Sequence, residues 1–286
     1  MLNRLFGNFL VKKGKITQEQ LDHLLPVPKD VKAQVETIAV INKVLTPNLV
    51  QTILENNKSF GDTAIEAGYL TEEKLDELLT YQSNTFMQFV QCLLDKKWIA
   101  LEQINPLLDE FQMLGSFTDA QLSSLIHDDL EQCVRMFVPI KSAQLQSFTL
   151  TFIGAFRRLI DPHMYLDKAY TARSLQLDKY ACQLLAGDFH LKLYLSAPDN
   201  GLLAVANHFA NGTYESVDLD ALDNVGEFIN CVNGLFATDL SYENISVDMN
   251  SPEYSLEGPF ISNESLYIIP IHANGYDLKA VLEVYE

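Results

Sequence analysis

The sequence predicts an α+β protein with two domains: an all-helical N-terminal domain of helix-turn-helix repeats over residues 1–140, and over residues 145–286 an antiparallel sheet with helices packed on one face. Three observations carry this. Apolar residues recur at steps of three and four from the N-terminus to Phe137, as helices burying one stripe require. At Phe189 the period drops to two. Near the C-terminus, Asn274-Gly275 lies between two β-rich runs, Ser265 to Ile271 and Leu278 to Tyr285, a strong hairpin signal.

Within the N-terminal domain a pair of segments repeats at a step of 54 residues, GNFLVKKGKITQEQLDHLL from Gly7 and GDTAIEAGYLTEEKLDELLTYQ from Gly61. Each has two glycines seven residues apart, then a hydrophobic residue, then Thr17 or Thr71 as the N-cap of a second helix. A third helical pair runs from Phe86 through Trp98 and Ile99 at its turn to a helix with Pro106 in the first turn. Thr118 to Val138 reads as one long helix stopped by Pro139, which places the domain boundary at residues 139–146.

The repeats resemble the helical module at the N-terminus of type II secretion and pilus ATPases, known as MshEN, some members of which bind cyclic di-GMP. In the ligand-binding version the motif begins Arg-Leu-Gly and ends in Gln. Here Leu5 and Ser59 stand at the Arg place, with Arg4 one position early, and Pro28 and Gln82 stand at the Gln place. The resemblance implies a regulatory or interaction module, with cyclic di-GMP sensing as a lesser alternative.

The C-terminal domain opens with a helix from Leu145 to Ile160. Phe189, Leu191, Leu193 and Leu195 then alternate with His190, Lys192, Tyr194 and Ser196 as a half-buried strand, and Gly187-Asp188 joins it in a hairpin to Tyr180–Leu185. Pro198 and Asp199 open a helix through Phe209. A longer helix follows, Leu219 to Leu240, and then the terminal strands.

Composition excludes several functions. A net charge of −18, of which residues 171–286 contribute −13 (17 acidic, 4 basic), disfavours nucleic acid or anionic lipid as partner. No apolar run approaches the ~18 residues of a membrane span, and no signal peptide is evident, so a cytoplasmic protein with no membrane insertion is expected. Cys92, Cys133, Cys182 and Cys231 lack paired spacing and read as four buried thiols. The six histidines show no metal-ligand spacing, so no metal site is expected, and there is no Walker loop, GxGxxG or Gly-x-Ser-x-Gly.

What remains is the helix Leu219 to Leu240. Leu222, Val225, Ile229, Val232, Phe236 and Leu240 make its core stripe. Asp223, Glu227, Asn230 and Gly234 cluster within about 60° on a second face, roughly 150° from the stripe. Asn and Gly cost helix stability, about 1 kcal/mol for Gly, so a function should offset them. Past the carboxylate and amide, Ala237 and Ser241 keep the face small and flat. This reads as a docking surface, with solvated surface residues as the plain alternative and close helix packing as the alternative for Gly234.

Asp223, Glu227 and Asn230, with Gly226, Gly234 and a later Pro252, resemble the chemotaxis phosphatase family of CheX, CheC and FliY. The resemblance covers roughly residues 145–286, and one Glu/Asn pair per chain is most like CheX. It implies a CheX-like fold and hydrolysis of the phospho-aspartate of a CheY-type response regulator, in bacterial chemotaxis or two-component signalling. Asn230 would orient the attacking water and Glu227 would pair with the receiver's lysine, while Asp223 and Gly234 would shape the partner-binding face. The chain would need no cofactor of its own, since the receiver would supply Mg²⁺. Homodimerisation through sheet edges is a further expectation. The alternative is a non-catalytic adaptor that binds a receiver or a secretion or motility component.

Overall fold

A computed structural model of the chain describes residues 1–28, 30–55, 59–198 and 200–285, with the side chain of Glu264 set aside. Asp199, expected to open a helix, lies outside the described residues. The chain divides into two compact units, Leu2–Asp129 and Leu130–Glu286.

The first unit is helical: α1 (Leu2–Lys12), α2 (Gln18–Leu24), α3 (Val35–Ile41), α4 (Pro47–Leu54), α5 (Phe60–Glu66), α6 (Glu72–Thr80), α7 (Thr85–Asp95), α8 (Ile104–Gly115) and α9 (Asp119–Ile126). The helices up to α8 come in pairs. Each pair turns on a residue in the left-handed region: Gly14 (φ 67°), Lys43 (54°), Gly68 (73°) and Lys97 (56°). Two residues on, Ile16, Leu45, Leu70 or Ile99 is buried. Next, the hydroxyl of Thr17, Thr46 or Thr71 accepts from the backbone N–H three residues ahead and caps the second helix, a bond that Ala100 cannot make in the fourth pair. The 54-residue step thus relates two double pairs, Gly14 to Gly68 and Lys43 to Lys97. The pair α3–α4 is not evident in the sequence because Lys43 stands where the first and third turns carry glycine.

The positions compared with the nucleotide-binding motif have structural partners. Arg4 pairs with Asp22 at 3.0 Å, Ser59 caps α5, and Gln82 bonds Ala33 through both its backbone and its side chain.

The helix expected over 118–138 is two helices. It breaks at residues 127–129, where Asp128 has φ 58°, and resumes as α10 (Leu130–Phe137). This second piece buries Cys133, Val134 and Phe137, and the carbonyls of Phe137 and Val138 accept from Ala169 N and Gln146 Nε2. The second unit therefore begins at Leu130, ahead of the 139–146 boundary drawn from the sequence.

After α11 (Ala143–Leu159) come β1 (Tyr165–Leu166), β2 (Tyr170–Gln176), β3 (Lys179–Gly187), β4 (Leu191–Ala197), α12 (Asn200–Ala210), α13 (Leu219–Tyr242), β5 (Val247–Met249), β6 (Glu253–Ser255), β7 (Phe260–Ala273) and β8 (Tyr276–Val284). The class is α+β, as the sequence predicts. The strands form one antiparallel sheet ordered β1-β7-β8-β4-β3-β5, with β2 also on β7 and β6 also on β3. Asn274 and Gly275, both at positive φ, make the β7–β8 turn.

Helices α12 and α13 lie on one face of the sheet, and α11 packs on α13 through aromatic contacts. The Phe228 ring lies 5.7 Å from Phe156, 6.2 Å from Phe152 and 5.7 Å from Phe209, while Phe236 meets Phe148 at 5.1 Å. The opposite face has a small core of its own. Cys182, Tyr194, Leu266, Ile268 and Val281 are buried there with Leu177, and Ala172 and Leu175 of β2 pack against them. A register shift between Ala172 and Ser174 lets β2 bend.

The alternation of glycine and lysine at the four turns makes a stability prediction. Gly68→Ala should destabilise the chain by about 1 kcal/mol or more, because a Cβ disfavours positive φ. Lys97→Gly, at an exposed position, should stabilise it by up to about 1 kcal/mol. Urea titration of both variants checks the opposite signs.

Candidate functional site

Helix α13 begins at Asp218, whose carboxylate caps the helix by accepting from Ala221 N at 2.9 Å. All six residues of the expected core stripe are buried, and so are Phe228, Asn233 and Gly226. Asp223 and Glu227 are exposed, and Asn230 and Gly234 are half-buried on the same side of the helix. Sequence spacing and structure agree on which residues share this face.

What positions the face is an interruption in the sheet edge. Residues 247–255 run antiparallel to β3 and pair with it as β5 and β6; Asn250 N still donates to Leu184 O at 3.0 Å, and the ladder is interrupted over residues 251–252. Pro252 has no N–H to donate, which suits a gap in the ladder. At this gap the strand approaches α13 so closely that a Cβ on Gly226 would lie 3.0 Å from Pro252 Cβ. Gly226 is thus the glycine that close packing requires. A Cβ on Gly234 would meet nothing nearer than Met249 Cε at 4.0 Å, so Gly234 leaves open surface instead.

Under the gap lies Gln183 of β3, 1% exposed. Its Nε2 donates to the backbone carbonyl of Asn250 at 2.7 Å and to Asn230 Oδ1 at 2.8 Å, and its Oε1 accepts from Asn233 Nδ2 at 2.8 Å. Asn230 Nδ2 in turn reaches Glu227 Oε2 at 3.4 Å. The amide and the carboxylate that the sequence singles out therefore form one hydrogen-bonded group, anchored from below by a buried amide. Gln183 is a site residue that the sequence did not single out. The available signal was its parity: in β3 it shares the inward positions with Ala181 and Leu185, where a polar residue interrupts an apolar series.

Asp223 lies one turn before Glu227, and its charge is the chief cause that raises the pKa of the Tyr254 phenol above its ordinary value. Cys231, expected to be buried, is exposed, because it follows Asn230 toward the solvent side of the helix. Among the described residues no group of three or more His, Cys, Asp or Glu is placed to hold a metal ion, and no helix is long and apolar enough to cross a membrane. The face offers a neutral amide, one adjoining carboxylate and a second carboxylate a turn away. Such a set can position a water or engage a cation.

Part of the chain is similar to known proteins. Residues 180–272 match the family model for chemotaxis phosphatase CheX, a span that holds Gln183, Asp223, Glu227, Asn230 and Pro252. No curated protein matches the chain. Similar solved structures include a chemotaxis protein CheX from Desulfovibrio desulfuricans, 15% identical with a TM-score of 0.43, covering 50% of this chain and 100% of that one. A CheC-like superfamily protein from Shewanella sp. PV-4 is 17% identical with a TM-score of 0.44, covering 50% and 97%. A chain of the CheX–CheY–BeF3–Mg²⁺ complex from Borrelia burgdorferi is 16% identical with a TM-score of 0.40, covering 50% and 98%.

Two measurements check this geometry. Replacing a helical glycine by alanine should gain about 1 kcal/mol, so Gly234→Ala should raise stability by that order. Gly226→Ala should forfeit the gain by pushing on Pro252, and calorimetry should separate the two variants by about 1 kcal/mol or more. In an NMR pH titration, Asp223→Asn should bring the Tyr254 phenol back down toward its ordinary pKa.

Proposed function

We propose that the Asp223–Gly234 face of α13 dephosphorylates the aspartyl phosphate of a CheY-type receiver domain. The observation that carries the reading is the joined pair Glu227–Asn230, inside the stretch that matches the phosphatase family. An amide neither titrates nor loses its donor across the physiological pH range, so it can hold a water in line with phosphorus without competing for the proton.

In this reading Asn230 donates through Nδ2 to the attacking water. The water oxygen bonds to phosphorus as the P–O bond to the receiver's aspartate breaks, releasing inorganic phosphate and a free carboxylate. Glu227 is exposed and pairs with the receiver's lysine, a charge-assisted contact that strengthens as docking excludes water. Asp223 bounds the face, and Gly234 leaves room for the partner's backbone. Mg²⁺, which would neutralise charge on the phosphoryl oxygens, comes with the receiver. The N-terminal helical unit localises or regulates the activity.

Phosphate release from a Mg²⁺-loaded, acetyl-phosphate-charged CheY-type receiver tests this. The wild type should accelerate release, and Asn230→Ala should slow the catalysed rate about 10²-fold with the fold retained, at a stability cost of about 1 kcal/mol for the Gln183 donor it leaves short of a partner. Glu227→Ala should mainly weaken receiver binding. Binding of the phosphorylated receiver with no acceleration by the wild type would replace the phosphatase with an adaptor.

A further inference from the structure

We infer that Gln183 is a positioning residue that fixes which end of the Asn230 amide faces the partner. This deepens the phosphatase reading, on which its kinetic consequences rest.

One group in the network has a polarity that chemistry fixes. A backbone carbonyl can only accept, so the contact between Gln183 and Asn250 O, at 2.7 Å, requires the NH2 end of the Gln183 amide there. The same Nε2 has one more hydrogen, and Asn230 lies 2.8 Å away. The atom facing it must therefore be an acceptor, Oδ1. Asn230 Nδ2 is then forced to the other side, toward Glu227 and solvent. The opposite end of Gln183, Oε1, is held by Asn233 Nδ2, and Asn233 is fully buried on the same helix. A rotation of the Gln183 amide would face NH2 to NH2 at Asn233 and oxygen to oxygen at Asn250 and Asn230. Since unmade buried hydrogen bonds are costly, the orientation is locked.

Asn230 therefore presents a donor outward, and it does so from a side chain that cannot rotate freely. A helix-surface asparagine with no such support would sample both amide orientations and several rotamers. Gln183 also bonds the carbonyl freed where Pro252 interrupts the edge ladder, so the break in the sheet and the orientation of the amide depend on one side chain.

The test uses the full chain with Gln183→Met, which keeps an unbranched side chain of similar length and removes every polar atom. Three readings are taken: the ¹⁵N order parameter of the Asn230 side-chain amide, assigned by its loss in Asn230→Ala; kcat and KM for phosphate release from the charged receiver; and the double variant with Asn230→Ala. The expected result is a fall in the order parameter, about a tenfold fall in kcat with KM within about twofold, and no further loss from Gln183→Met once Asn230 is alanine. An Asn230 amide as rigid in Gln183→Met as in wild type would overturn the inference. So would an added loss in the Asn230→Ala background, since Gln183 would then act by another route. Should the wild type fail to accelerate phosphate release, the phosphatase reading falls alone, and amide rigidity still decides the role of Gln183. If Gln183→Met does not fold, Gln183→Asn, an amide one methylene too short for the span, takes its place in the same readings.

Discussion

The contact between Gly226 and Pro252 is the constraint on which the site depends. An edge strand that paired continuously with β3 would present a uniform ladder. The proline interrupts it, and the interruption lets residues 251–252 lean onto α13 where the helix has no side chain. That approach closes a polar pocket over Gln183, and the pocket in turn holds Asn230. A helix glycine costs about 1 kcal/mol, and here it is offset by close packing that a β-carbon would prevent.

The aromatic contacts behind α13 serve the same end from the other side. Phe228 and Phe236 fix the rotation of the helix through edge-on and tilted contacts with α11 and α12. With its inner face held by rings and its flank by Pro252, the helix has little freedom to turn. Asp223, Glu227 and Asn230 therefore keep their outward direction, as a site that must match a rigid partner requires.

Much of this was legible in the sequence, and the reasons are uneven. The stripe on α13 and the Asn274-Gly275 hairpin are strong periodic or local signals, and both are present. The shared face of Asp223, Glu227, Asn230 and Gly234 follows from helix geometry alone. Strands β5 and β6 were invisible, since three residues each are too few to show a period. Strand β2 was missed because both its faces are largely exposed, so YTARSLQ carries no clean alternation. The break at residues 127–129 was hidden by apolar residues that keep helical spacing across it; only the His-Asp-Asp run marks it. Gln183 needed a partner 47 residues away before its burial made sense.

The exposure of Cys231 gives the molecule an unplanned property. Burial raises the pKa of Cys92, and that of Cys182 to about 12, while Cys133 is also enclosed. Thiolate is the reactive form, so these three should react slowly with alkylating reagents at neutral pH. Cys231 is the one exposed thiol among the described residues, and it directly follows Asn230 on the helix. The native chain thus carries its own attachment point for a fluorophore or spin label at the rim of the proposed docking face, and no cysteine need be engineered to watch a partner arrive.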